Sequence, residues 1–137
     1  MIDIENDVIN LVTETVHAEW TTAFVGGEYT EYPSSFPAVT VEEIDNRVYQ
    51  RMRTENIENA VTVTFQINVF SNKAGQRKSE AKSIMNAIDA VLTAKGFTRI
   101  MTEHVPNLND SKIFRYVARY EAVVGPHGSN HFLIYQN

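Results

Sequence analysis

The chain has 137 residues, 43% of them hydrophobic, no cysteine, and a formal net charge of −5 at pH 7. This is one domain's worth of sequence with enough apolar material for one core. The missing cysteines exclude disulfides, thiol nucleophiles and thiolate zinc sites together, and the acidic balance argues against a protein that coats DNA non-specifically, because that work needs a basic surface.

Taken in order, residues 4–17 read as a helix, with Ile4, Val8, Leu11, Val12 and Thr15 or Val16 on one face. Asp3 is placed to cap its start, and Glu5 and Asp7 suit the positive end of the helix. Trp20 follows where the helix ends and reads as a core anchor or an interface residue. Gly26-Gly27 and Tyr32-Pro33-Ser34-Ser35-Phe36-Pro37 form a turn-rich connection. A strand follows in Ala38 to Ile44, with Val39 and Val41 on one face. Ile44 breaks the alternation after Glu42-Glu43, which signals a bulge or the strand end. Asp45-Asn46 is a turn pair, so Arg47 to Arg53 are expected to return as the second arm of a hairpin, with Thr54 to Asn59 as a loop.

The stretch from Ala60 to Gly96 carries the strongest signals. Val61, Val63, Phe65, Ile67 and Val69 alternate with Thr62, Thr64, Gln66 and Asn68, the period-two signature of a strand with one apolar face. After the turn Ser71-Asn72-Lys73-Ala74-Gly75, Ala81, Ile84, Met85, Ile88, Val91 and Leu92 fall on one helical stripe. Lys95 suits the negative end of that helix, and Gly96 suits the left-handed residue just past it. Phe97 to Glu103 form a further strand, Pro106-Asn107-Leu108-Asn109-Asp110 a turn, and Ile113 to Val124 the longest strand, antiparallel to its predecessor. Phe114, Tyr116, Ala118, Tyr120, Ala122 and Val124 make an aromatic-rich face of that strand, opposite Arg115, Arg119 and Glu121. Gly125 to Asn130 read as a link, and the apolar His131-Phe132-Leu133-Ile134-Tyr135 must pack on its own domain or on a neighbour. The expected fold is α+β, a mostly antiparallel sheet of about four or five strands with two helices packed on one face. Residues 1–125 form a single domain in this reading, and 126–137 a C-terminal arm. No stretch approaches the ~20 apolar residues that span a bilayer. The acidic N-terminus is unlike a signal peptide, so the protein is expected in the cytoplasm of its producing cell.

The chemistry-bearing residues form no recognisable catalytic, cofactor or metal motif. There is no Gly-x-Ser-x-Gly elbow and no glycine-rich phosphate loop. His127 and His131 flank Gly128-Ser129-Asn130, which is not helical, so surface histidines outweigh a metal site. Glu42 and Glu43 point to opposite faces of a strand and cannot form a dyad. Glu43 and Asp45 are expected to share a face, and with a histidine they frame the rival reading of a small hydrolase. A further rival is a module binding a small ligand between helices and sheet. The most suggestive polar feature is Arg47, Tyr49, Arg51 and Arg53, which share a face if extended. Arginines beside an aromatic grip phosphates or carboxylates. The alternative is that they pair with Glu42, Glu43 and Asp45.

The order of elements and several stretches resemble the tail terminator, or tail completion, proteins of long-tailed bacteriophages and prophages. The resemblance is carried by Phe36 to Glu43, Asn56 to Ala60, Val69 to Lys73, Arg77-Lys78-Ser79-Glu80 with the helix that follows, Gly96 to Arg99, and Pro106 to Asp110 with Phe114-Arg115-Tyr116 and Arg119-Tyr120. It covers roughly residues 1–124. It implies a non-enzymatic virion protein without cofactors, assembled in the host cytoplasm as a homo-oligomeric ring, usually a hexamer, on the head-proximal end of the tail tube. Its implied partners are the tail tube protein, the head–tail connector, and DNA passing through the lumen without sequence-specific binding. A head-completion or connector protein is the neighbouring alternative. A ring built head to tail needs two different sticky surfaces. The candidates are Arg47, Tyr49, Arg51 and Arg53, and the tail residues Phe132, Leu133, Ile134 and Tyr135, which would add to a neighbouring sheet edge.

Overall fold

The computed structural model describes residues 1–30, 33–48, 60–107 and 110–125, and the backbone of 133–135. The elements are α1 (Glu5–His17), β1 (Phe24–Gly26), β2 (Ala38–Val48), β3 (Val61–Ser71), α2 (Arg77–Ala94), β4 (Thr98–Pro106), β5 (Phe114–Gly125) and β6 (Leu133–Tyr135). The strands lie in the order β1-β2-β3-β5-β4, and β6 pairs with β5. Among the described strands only the β1–β2 pairing is parallel. The fold is therefore the expected α+β arrangement.

The period-two pattern of β3 explains the layers. Val61, Val63, Phe65, Ile67 and Val69 are fully buried, and cross-strand partners share a face. Tyr120 beside Phe65 and Ala118 beside Ile67 extend the same apolar surface into β5. The stripes Ile4, Val8, Val12, Val16 of α1 and Ala81, Ile84, Met85, Ile88, Leu92 of α2 cover it, giving one continuous core. Phe97 meets the Phe65 ring edge-on, with centroids 6.0 Å apart.

The helix ends are closed by short-range bonds. Asp3 acts one residue outside the cap position: its Oδ1 accepts the Glu5 amide at 3.0 Å, while Ile4 occupies the cap itself. Gly96 follows α2 with φ +99, the left-handed conformation that glycine adopts without strain. At the start of α2, Ser71 Oγ donates to Glu80 Oε1 at 2.7 Å and ties the end of β3 to the first helical turn.

The structure departs from the sequence reading at Asp45-Asn46. These residues do not turn. β2 continues through them, with Asp45 opposite Thr64, Asn46 opposite Val63, Arg47 opposite Thr62 and Val48 opposite Val61. The register shift between Glu43 and Asp45 marks Ile44 as a bulge. β3 offers an unbroken partner, so continued pairing satisfies backbone groups that the local preference for a turn would have left to water. Arg47 is thus still on the outgoing strand. Of the return arm expected in Arg47 to Arg53, Arg47 and Val48 belong to β2 instead, and Tyr49, Arg51 and Arg53 lie outside the described residues, as do Phe132, His127 and His131.

Candidate assembly surfaces

The two helices cover one face of the sheet, and among the described residues no helix packs on the other. On that outer face the registers align Thr40, Asn68 and Val117, then Glu42, Gln66 and Arg119, then Asp45, Thr64 and Glu121. Its polar groups are tied to one another. Arg115 Nε donates to Asn68 Oδ1 at 3.0 Å, and Asn68 Nδ2 donates to Thr40 Oγ1 at 3.1 Å. Asn68 and Thr40 are fully buried. The Arg115 guanidinium also sits 4.7 Å from the Tyr29 ring centre, a cation–π contact. Arg119 Nε donates to Gln66 Oε1 at 3.0 Å from an exposed position. One end of this face carries a small apolar cluster of Ala38, Phe70 and Ile113, with Phe24 and Phe36 against it.

Arg47, placed on β2, forms an ion pair with Asp45 at 2.8 Å, both side chains well exposed. For this residue the internal pairing is the one the structure contains, although it runs along the strand instead of across a hairpin. Such an exposed pair adds little stability. Leu133, Ile134 and Tyr135 form β6, whose backbone pairs with Gly125, Val124 and Val123 of the same chain.

The carboxylates do not assemble a reactive centre. The bulge at Ile44 separates Glu43 and Asp45: Glu43 lies opposite Phe65 on the helix face, while Asp45 lies opposite Thr64 on the outer face. The expectation that they share a face is corrected, because the extra bulge residue inverts the alternation. Glu43 sits near the start of α1. Its amide donates to Glu5 Oε2 at 2.9 Å, and its Oε1 accepts from Asn46 Nδ2 at 3.2 Å. Partial burial pushes its carboxyl above the usual range, the Asn46 bond opposes that, and Asp3, Glu5 and Asp45 add to the rise. Of the histidines, His17 Nε2 lies 2.8 Å from the Ala23 carbonyl, and His104 stacks on Phe114 with centroids 4.3 Å apart. Among the described residues no group of three or more His, Asp or Glu is placed to hold a metal ion.

A second network, not anticipated from sequence, joins both helix-side layers. Tyr120 Oη donates to Asp89 Oδ1 at 2.7 Å, and Arg99 Nη1 reaches the same oxygen at 3.3 Å. Burial, together with the bond to Asp89, pushes the Tyr120 hydroxyl well above its ordinary value. A fully buried tyrosine and an aspartate on facing elements are the available signal, but nothing local pairs them.

Among the described residues these polar groups are held largely in contact with one another. The family described as Tail completion protein gp17 matches residues 15–125, most of the chain. The chain belongs to that family. No curated protein matches it. A tail completion protein is a structural component of a phage tail, acting in the virion alongside other tail or head components. No helix among the described residues is long and apolar enough to cross a membrane.

Proposed function

We propose that this tail completion protein forms a homo-oligomeric ring, a hexamer, on the head-proximal end of the tail tube. The ring stops tube polymerisation and presents the surface that the head connector meets, and DNA passes through its lumen without sequence-specific contacts. The protein catalyses no reaction in this role. The observation that supports the reading is the family match over residues 15–125. The internally paired outer face is compatible with it. The ring-forming unit is residues 1–125. The arm 126–137, Arg47 with Tyr49, Arg51 and Arg53, and the tail residues Phe132 to Tyr135 are its candidate contacts.

The test is solution mass by light scattering across a range of concentrations, with negative-stain microscopy of the largest species and binding to purified tail tubes and tailless heads. A ring with a central hole wide enough for a DNA duplex, bound to tubes, is the expected result. Binding to heads alone replaces the terminator with the head-completion reading. A strict monomer that caps neither tubes nor heads overturns both. Deletion of residues 126–137 is expected to weaken self-association, and an unchanged oligomer mass removes the arm from the interface.

A further inference from the structure

Among the described residues the sheet ends in two open edges. β4 pairs with β5 on one side, and no described strand lies on its other side. β1 covers only Ala38–Thr40 of β2, so no described strand borders Ile44–Val48. Each open edge carries a β-bulge, and each bulge is an isoleucine: Ile44 in β2 and Ile100 in β4. Their side chains stand in water, with Ile44 44% and Ile100 52% exposed, and Val48 follows at 38%. Among the described residues the other large hydrophobics this exposed are Met1 and Tyr29, and Tyr29 already lies against Arg115 and Phe70. Open edges are ordinarily blunted by charge, proline or a bulge, because a bare edge pairs with other chains. Asp45 and Arg47 on one edge and Arg99, Glu103 and Pro106 on the other supply charge and proline, yet each edge also holds an aliphatic side chain in water at its bulge.

The edges also match in direction. Each step from β2 to β3 to β5 to β4 is antiparallel, so β2 and β4 run in opposite senses. A second copy set beside β4 by rotation about an axis along the strands presents its β2 antiparallel to it. The two edges differ, so the contact is heterologous, and each copy keeps one edge for either neighbour. The Glu43 amide is already taken by Glu5, which starts the available stretch of β2 at Ile44.

We propose that copies of this chain join edge to edge, Ile44–Val48 of one against the Ile100 region of β4 of the next, with the two bulge isoleucines in contact. This rests on the ring reading and names the surface that closes the ring. The test uses the full chain as wild type, Ile44→Lys, Ile100→Glu and the double variant, read by light scattering and by capping of purified tail tubes. Both positions are solvent-exposed, so circular dichroism and melting temperature are expected to match the wild type. Each single variant buries an unpaired charge in the contact and weakens self-association at least ~10-fold. The double variant sets lysine against glutamate and recovers most of that loss. If a charged variant fails to fold, Ile44→Ser and Ile100→Ser replace it, with weaker association expected from each.

Rings from either single variant at wild-type strength overturn the contact and leave the ring reading standing. Loss with Ile100→Glu alone also overturns it, and assigns β4 to a different occupant. A double variant no stronger than the singles rejects the pairing of the two isoleucines. A wild type that neither associates nor caps tubes removes the ring reading and this contact together.

Discussion

The two faces of the sheet solve different problems. The helix face is almost wholly apolar: Val61, Val63, Phe65, Ile67 and Val69 meet Ile84, Ile88 and Leu92 with no exposed surface to speak of. Its stabilisation is hydrophobic and non-directional, and scales with area removed from water. The outer face is built from directional pairs, Arg115 to Asn68 to Thr40 and Arg119 to Gln66. Such pairs add modestly to net stability, but each penalises any arrangement that leaves its partner buried and unpaired. One face therefore holds the fold together, and the other fixes its own side-chain arrangement by directional pairing.

Substitutions on the two faces should differ accordingly. The largest effect is expected from Phe65→Ala, which empties a fully buried site and loses the Phe97 ring contact. A cost of about 3–5 kcal/mol is expected, read as a shift of the denaturant midpoint. A loss below ~1 kcal/mol would mean that the helix layer is not the stabilising one. Tyr120→Phe should cost about 1–2 kcal/mol, because Asp89 keeps Arg99 when the hydroxyl is removed. The same variant carries a pH signature. The folded state raises the Tyr120 pKa above its ordinary value of 10.0, so the stabilisation is fully present below that pH and is lost as pH rises above it. Wild-type stability should fall in strong alkali more steeply than that of Tyr120→Phe, and parallel curves would refute the network.

A smaller effect of opposite sign is expected at the margin between the faces. Glu43 has a raised folded pKa relative to 4.5, from desolvation and its carboxylate neighbours. A raised carboxyl favours the fold when protonated and disfavours it when charged, so the benefit is present below pH 4.5 and lost as pH rises through the folded value. Glu43→Gln should therefore melt at a higher temperature than wild type near pH 7, with the gap closing in acid. The smallest effect is expected from Arg119→Ser on the outer face, within about 0.5 kcal/mol, because Arg119 is exposed. A large loss there would erase the distinction between the faces.

The parts of the fold legible in sequence were those with a sustained period. β3 and α2 each repeat their pattern over several turns or pairs, and the apolar positions of β3 and most of the α2 stripe are buried as the pattern predicts, although Thr64 and Asn68 of β3 are buried as well. β5 was legible for the same reason, with Arg115 and Arg119 correctly set opposite its aromatic face. β1 was not, because three residues carry no period and its parallel pairing depends on the chain returning beside Ala38–Thr40. Asp45-Asn46 misled because turn chemistry is local, while β3 offers those residues a partner from elsewhere in the chain. The assembly surfaces were less legible still. Asn68 reads as an ordinary outward residue, and its bonds to Thr40 and to Arg115, 47 positions away, are what satisfy its amide once buried. Ile44 was visible as a break in alternation, and Ile100 by no signal at all.

The placement of β3 has a mechanical consequence. It is hydrogen-bonded along its length to β2 on one side and β5 on the other, so its amides can open only when the whole sheet opens. In hydrogen exchange it should behave as the slowest-exchanging unit, close to the global limit, while the far sides of β4 and the end of β2 exchange freely. A force applied at one edge must cross this locked strand to reach the other, which loads the sheet in shear across several ladders at once. A subunit gripped at its rims would then transmit strain around an assembly with little deformation at its centre.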